Sequence, residues 1–277
     1  MREERLVIQN NIKDCESRGD WNAAVEPAFP YRKLDSQKLD LTHKKLFNKI
    51  KAWVAYSCGE RFFKGFVKKK QIIFHPVEGL ENLSNFQGGA IVTCNHIHPA
   101  DSYGVLLGLM QHFKKGKGGG KRQLWKVVAE SNYSYPGLIG FLMRNADTLP
   151  VAVDEQPNLK LTVKTFQAAQ ELLKQGKKIL IYPEANLWLH YRKPRPPKKG
   201  AFIMAAKFNV PVIPFFYTLR DNEQLDADDF PVQEYTPHIL PMIFPDPQLS
   251  VEENAERMAA ENMRLWQECY KKHYDNP

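Results

Sequence analysis

Residues 89–108 read Gly-Ala-Ile-Val-Thr-Cys-Asn-His-Ile-His-Pro-Ala-Asp-Ser-Tyr-Gly-Val-Leu-Leu-Gly. Gly88 and Gly89 open an apolar run, Ala90 to Cys94, that is too short for a helix and β-branched enough for a buried strand. The run stops at Asn95-His96, and Pro99 breaks the chain. Val105, Leu106, Leu109 and Met110 then resume at helical spacing. The stretch predicts strand, loop, helix, with His96 and Asp101 at the carboxyl end of the strand. In open α/β sheets, ligands bind at that end.

His96 and Asp101 have a chemical reading. An imidazole titrating near neutrality takes a proton from a hydroxyl, and a carboxylate on its other nitrogen fixes tautomer and orientation. This is the base half of a Ser-His-Asp triad without an enzyme serine. A structural reading stands beside it, because Asp101 also occupies a helix N-cap position.

Outward from this stretch, strand and helix patterns alternate. Gln71 to His75 reads as a strand. A helix is expected near 102–113, strands at 126–129 and 148–153, and a helix at 136–143. An amphipathic helix at 160–174 carries Leu161, Val163, Phe166, Ala169, Leu172 and Leu173, and Gly176 ends it. A strand at 178–182 runs into Pro183-Glu184. Next come a helix at 198–208, a strand at 210–217, an acidic loop at 221–229, a last strand at 239–244 and a closing helix at 251–273. The alternation predicts an α/β fold, a mostly parallel central sheet flanked by helices, with an N-terminal helical element. Residues 1–70 are expected to form a polar lead, with a short helix, and an amphipathic helical element; residues 71–277 form the α/β domain. In residues 37–66, apolar side chains alternate with lysines. The segment fits a helix packed on the domain, or one lying on a bilayer with Phe62, Phe63 and Phe66 inserted and Lys64, Lys68, Lys69 and Lys70 against lipid phosphates.

The 277 residues suffice for one large core, and the formal net charge of +8 favours an anionic partner. Cys15, Cys58, Cys94 and Cys269 are scattered without metal-ligand spacing, which argues against a disulfide framework or a zinc site and for a reducing compartment. No secretory signal is expected, since Met-Arg-Glu-Glu-Arg leads no apolar segment. No window reaches about 18 apolar residues, so any membrane contact is expected at the surface. The basic stretch 114–122 lacks the closing Lys-Ser/Thr of a phosphate-binding P-loop. A basic protein that binds membrane or nucleic acid without catalysis is the other functional class; no nucleic-acid module is recognised, and nucleic acid is not an expected partner.

Two further segments bear chemistry. Glu184 stands at a strand end, where a carboxylate accepts a substrate hydroxyl, braces the loop bearing His96, or simply starts a helix. Tyr191 to Lys199 packs five cations between prolines; it reads as an anion-binding edge or a solvated basic loop.

Asn95-His96-x-x-x-x-Asp101, Tyr182-Pro183-Glu184, Lys199-Gly200-Ala201-Phe202 and Val210-Pro211-Val212-Ile213-Pro214 stand in an order that resembles the glycerolipid acyltransferases, the 1-acylglycerol-3-phosphate and lysophospholipid acyltransferases. The resemblance covers about residues 72–220; each motif alone is weak and the ordered set is strong. It implies acyl transfer from acyl-CoA or acyl carrier protein to a lysophospholipid hydroxyl, without a metal or prosthetic group. It casts His96 as base and Asp101 as its orienting partner, with Asn95 and Glu184 on the acceptor side. The net charge, the amphipathic element with its phenylalanines and lysines, and the missing membrane span lead to an anionic membrane surface as expected partner, and with the scattered cysteines to a cytoplasmic protein peripheral on the inner face of the membrane. Two departures concern phosphate binding. The family's Phe-Pro-Glu-Gly-Thr-Arg block ends here in Leu187, and Val153 stands where an arginine usually follows a strand. Arg144, Arg192 and Arg195 are the candidates to replace them, because a guanidinium matches phosphate bidentately.

Overall fold

The computed structural model describes residues 2–27, 30–83, 86–113, 124–152 and 158–275. Val153 and the basic stretch 114–122 lie outside the described residues. Helix α1 (Arg2–Arg18) and helix α2 (Leu46–Lys68) precede strand β1 (Ile72–Phe74), strand β2 (Ala90–Cys94) and helix α3 (Asp101–Phe113). Strand β3 (Leu124–Ala129), helix α4 (Gly137–Asn145), strand β4 (Thr148–Val151), helix α5 (Leu159–Lys174) and strand β5 (Lys178–Ile181) follow. Helix α6 (Gly200–Phe208), the antiparallel pair β6 (Val212–Leu225) and β7 (Pro231–Ile239), and helix α7 (Val251–Tyr274) complete the chain.

The seven strands form one sheet in the order β1-β7-β6-β2-β5-β3-β4. Strands β6, β2, β5, β3 and β4 are mutually parallel, while β7 pairs antiparallel with β6 and parallel with β1. This is the expected mostly parallel α/β sheet. Strand β2 lies at its centre, and all five of its residues are buried. Ile91 joins a core cluster with Leu172, Phe202 and Met258 from α5, α6 and α7. Val92 points the other way, to Val105, Leu106 and Leu109 of α3. A strand covered on both faces needs an unbroken apolar run, which is why Ala90 to Cys94 shows no polar alternation. Gly89 immediately precedes this strand against α5, where a Cβ would fall 2.2 Å from the Leu173 carbonyl oxygen. The chain leaves β2 through α3 toward β3 and returns through α6 from β5 to β6, on the other side of β2. The crossover direction reverses around β2, and the ends of β2 and β5 therefore frame the crevice where such sheets bind ligands.

Four expectations are corrected. The acidic segment 221–229 is largely strand: β6 runs to Leu225 and turns into β7, and residues 240–244 contribute only a bridge between Val212 and Ile243. Residues 220–225 project beyond the core and are mostly solvent-facing, so backbone pairing rather than apolar alternation makes them strand. Helix α1 is longer than expected because only Ile12 and Cys15 are buried, leaving its sequence without a wide apolar stripe. Finally, Phe63 is not available to a membrane. It is 3 % exposed and packs 4.0 Å, centroid to centroid, from Tyr103 of α3.

Candidate active site

Strand β2 delivers His96 to the crevice, and the first residue of α3 supplies Asp101. The Asp101 carboxylate turns back toward the loop that precedes its own helix. Its Oδ2 lies 3.2 Å from His96 Nδ1 and accepts from the Ile97 and His98 backbone amides at 2.8 and 2.9 Å. Asp101 is 2 % exposed, so this carboxylate holds a fixed direction. With Nδ1 donating to Asp101, the lone pair of neutral His96 resides on Nε2, which has no hydrogen-bond partner among the described residues. The imidazole is thus presented as a proton acceptor with its rear nitrogen held.

Two tyrosines and a glycine support this pair. The His96 ring stacks on Tyr182 with centroids 3.8 Å apart and planes 11° from parallel. Burial pushes the Tyr182 hydroxyl well above its ordinary pKa, keeping the platform uncharged. Tyr217 of β6 donates its hydroxyl to the Asp101 carbonyl at 2.9 Å. A Cβ on Gly104 would sit 2.2 Å from that hydroxyl, so the first turn of α3 needs glycine there. Asn95 is 1 % exposed, and its amide pairs with both the N–H and the carbonyl of Tyr217. It joins β2 to β6 and is not exposed to an acceptor. His98, beside the pair, accepts the Ala100 amide on Nδ1 and is pushed down to about 4 by burial. It is neutral and stacks 5.9 Å from His190, with both rings against Tyr235.

Glu184 follows β5 and is 1 % exposed. Its Oε2 accepts the His96 backbone amide at 3.0 Å, and its two oxygens accept the Arg195 guanidinium and backbone amide, each at 2.9 Å. Of its three sequence readings, bracing the His96 loop is the one the contacts match. The bracing extends along the chain: the Trp188 amide donates to the His96 carbonyl at 3.0 Å and the His190 amide to the Ile97 carbonyl at 2.9 Å. Positive φ angles at Ala185 and His190 shape this loop.

The arginine expectations fare differently. Arg195 is corrected from a ligand grip to a core residue: it is 1 % exposed, ion-paired with Glu184, and donates to the Trp21 and Asn186 carbonyls. Its guanidinium also lies 4.4 Å over the Trp188 ring. Burial lowers its pKa and the Glu184 carboxylate opposes that shift. Arg144 donates to the Tyr133 and Tyr135 carbonyls, tying α4 to the turn before it. Arg192 is 37 % exposed in a 2.7 Å ion pair with Asp221. Exposed pairs of this kind contribute about 0–1 kcal/mol and exchange readily for another anion.

Sequence reasoning assigned no role to Tyr182, although it is adjacent to Pro183-Glu184. It had no route to Tyr217, 116 residues from Asp101, or to α1. That helix bonds the site loop through Arg5, which contacts His190 Nδ1 at 3.2 Å and pairs with Asp226. A surface depression of about 580 Å³ includes Met242, Phe244, Arg257 and Arg264 in its lining, and none of the His96 group. It is no part of this constellation.

The Acyltransferase family model matches residues 75–218. Among curated proteins, the chain is similar to the chloroplastic 1-acyl-sn-glycerol-3-phosphate acyltransferase BAT2 of Brassica napus, with 28 % identity over 138 residues, 50 % of this chain and 35 % of that protein. The corresponding protein LPAT1 of Arabidopsis thaliana is 29 % identical over 138 residues, 50 % of this chain and 34 % of its own length. The match thus spans about a third of these curated relatives. Among solved structures, the 1-acyl-sn-glycerophosphate (LPA) acyltransferase PlsC from Thermotoga maritima aligns with a TM-score of 0.52 and 18 % identity, over 97 % of this chain and 98 % of that one. That likeness is one of fold.

Proposed function

The chain belongs to the acyltransferase family, and from that premise we propose that it moves a fatty acyl group from an acyl thioester to the hydroxyl of a lysophospholipid, with 1-acyl-sn-glycerol-3-phosphate as the first acceptor to try. The observation that carries this reading is the His96–Asp101 pair at the end of β2, with Nδ1 held at 3.2 Å and Nε2 without a hydrogen-bond partner among the described residues. In the proposed step, His96 Nε2 takes the acceptor hydroxyl proton as its oxygen attacks the thioester carbonyl. Asp101 stabilises the imidazolium that forms. Collapse of the tetrahedral intermediate breaks the carbon–sulfur bond, and the imidazolium returns the proton to the departing thiolate. The donor is an acyl-CoA or an acyl-carrier-protein thioester.

The acceptor's phosphate falls to Arg192 in this reading, because its ion pair is exposed while Arg195 is committed to the core. The engagement of Arg144 and Arg195 with other groups, together with Leu187, supports a second reading in which the acceptor carries no phosphate at this position. The protein would work at an anionic membrane surface, to which an exposed apolar face of α2 offers a contact.

His96→Ala tests the mechanism: thiol release that depends on lysolipid should fall ~10²–10⁴-fold while the melting temperature holds. A folded variant with normal turnover would refute the proposal. In the same assay, Arg192→Ala should raise KM for lysophosphatidate and leave KM for an uncharged monoacylglycerol unchanged. Faster turnover of the monoacylglycerol by the unaltered protein would select the second reading.

A further inference from the structure

On the opposite side of β7 from the acyltransferase constellation's histidines, a second polar cluster is assembled from three parts of the chain. Cys269 and His273 are four residues apart on α7 and share one helix face. His238 lies in β7, and Glu78 follows β1. The backbone at Glu78 is pinned to β7, its amide donating to the Pro237 carbonyl and its carbonyl accepting the Ile239 amide, both at 2.9 Å. One ligand atom from each of His238, Cys269 and His273 lies within 4.8 Å of the other two. Glu78 Oε2 lies 3.1 Å from His238 Nδ1 and 4.0 Å from His273 Nε2. The two imidazole centroids are 4.3 Å apart.

The hydrogen bonds around this cluster give it direction. His273 Nδ1 lies 2.7 Å from the Cys269 carbonyl. A carbonyl only accepts, so Nδ1 carries the proton and the lone pair of neutral His273 sits on Nε2, toward the Glu78 carboxylate. Acceptor then faces acceptor. On His238, Thr218 Oγ1 holds Nε2 at 2.9 Å and leaves Nδ1 on the Glu78 side. Each ring therefore has one nitrogen fixed by an oxygen and the other turned to a shared carboxylate, the outer-partner pattern that orients metal-binding imidazoles.

We propose that His238, His273, Cys269 and Glu78 form a binding site for a borderline-soft divalent cation such as Zn²⁺. Two imidazoles, a thiolate and a carboxylate suit that ion, whose ideal metal–ligand distances imply donor separations of roughly 3.3–3.8 Å. Closing the site to those separations requires side-chain rotation, with Cys269 Sγ, 3.9 Å from His273 Nδ1, turning toward the Nε2 side of that ring. Thiolate and carboxylate together neutralise the charge of the ion, and binding releases the Cys269 proton to solvent. Lys272 is the opposing cation close to His238. Glu78, with a side chain 55 % exposed, gives the ion its entry path. Once bound, the ion would staple the C-terminal helix to β7 and to the segment after β1, holding the antiparallel edge of the sheet. Sequence spacing did not reveal the site, since its ligands come from segments about 160 and 30 residues apart and only Cys269-x-x-x-His273 is local.

The test uses the tag-free full chain after chelator treatment, titrated with Co²⁺ as a spectroscopic probe and then with Zn²⁺ as competitor. About one Co²⁺ per chain is expected, with a thiolate-to-cobalt charge-transfer band that Zn²⁺ abolishes. Zn²⁺ should also raise the melting temperature. Cys269→Ser should remove the charge-transfer band, and His273→Ala should weaken binding by more than about tenfold. Glu78→Gln, at a half-exposed side chain, provides a variant expected to fold normally and to bind more weakly. Thr218→Val should weaken binding through loss of the His238 partner alone. Absence of saturable Co²⁺ binding would overturn the proposal. So would a band that survives Cys269→Ser, or an affinity unchanged by both His273→Ala and Glu78→Gln.

Discussion

Glu184 connects the site's loop to the core, and its substitution separates positioning from chemistry. Its carboxylate touches the backbone of His96 and the side chain of Arg195, both away from water. Glu184→Gln keeps the shape and leaves the Arg195 charge uncompensated, and breaking a buried pair in this way costs about 3–5 kcal/mol. We expect the urea midpoint to drop accordingly and acyl transfer to slow, since the His96 amide loses its charged acceptor. Glu184→Gln combined with Arg195→Met should recover part of the stability, because no buried charge is then stranded. A double variant whose losses simply add would show that the pair does not act as a unit.

At the scale of elements, α2 divides its apolar residues between two surroundings. Phe63, Ala52 and Ala55 face the domain. Leu46, Phe47, Ile50 and Trp53 are 73 %, 66 %, 52 % and 64 % exposed, at helical spacing, with Lys45 and Lys49 beside them. Leu138 and Ile139 of the adjoining α4 are also exposed. No helix among the described residues is long and apolar enough to cross a membrane. Under the proposed function this stripe, and not Phe63, is the surface that would meet a bilayer, about three turns before the phenylalanines that the sequence suggested. Phe47→Ser/Trp53→Ser should reduce sedimentation with anionic vesicles and leave the melting temperature nearly unchanged. Phe63→Ala should instead destabilise the fold by about 3–5 kcal/mol, as loss of a buried phenylalanine does. Vesicle binding of the unaltered protein should weaken as salt screens the lysines. Loss of vesicle binding on Phe63→Ala alone, in a folded protein, would argue against this division.

Over the whole molecule, neutral histidines tie the site to global stability. Burial lowers His98 to about 4 and His190 to about 3. His98 faces Asp101, His96 and Arg5; His190 faces His98, Arg5, Asp226 and Asp221. Asp101 raises the first and the two carboxylates the second, but burial prevails. Both folded values lie below the ordinary 6.5, so the unfolded chain binds more protons as pH falls below that value. Their contribution is present above about pH 6.5 and is lost as pH drops toward 4. The urea midpoint should thus decline from pH 7 to pH 4.5. His98→Asn, whose Oδ1 replaces Nδ1 as acceptor for Ala100, should flatten the decline. A midpoint constant over this window would contradict the assignment. Because the His190 amide holds the Ile97 carbonyl, opening here also loosens the His96 loop.

By itself the sequence determined the α/β class, the strand Ala90–Cys94 and the His96/Asp101 pair at its end, because a strand buried on both faces must be continuously apolar and the pair is local to one turn of chain. It also determined the order of the acyltransferase motifs. Only the tertiary structure decided that Glu184 and Arg195 brace rather than bind, that Tyr217 anchors Asp101, and that Phe63 is core while Trp53 is not. Those outcomes depend on which surfaces meet across more than a hundred residues or on which side of α2 faces α3, and neither periodicity nor spacing records that. The strand beyond residue 220 was hidden for the same reason: its backbone is satisfied by β7, while its side chains, facing water, carry no apolar pattern to be read.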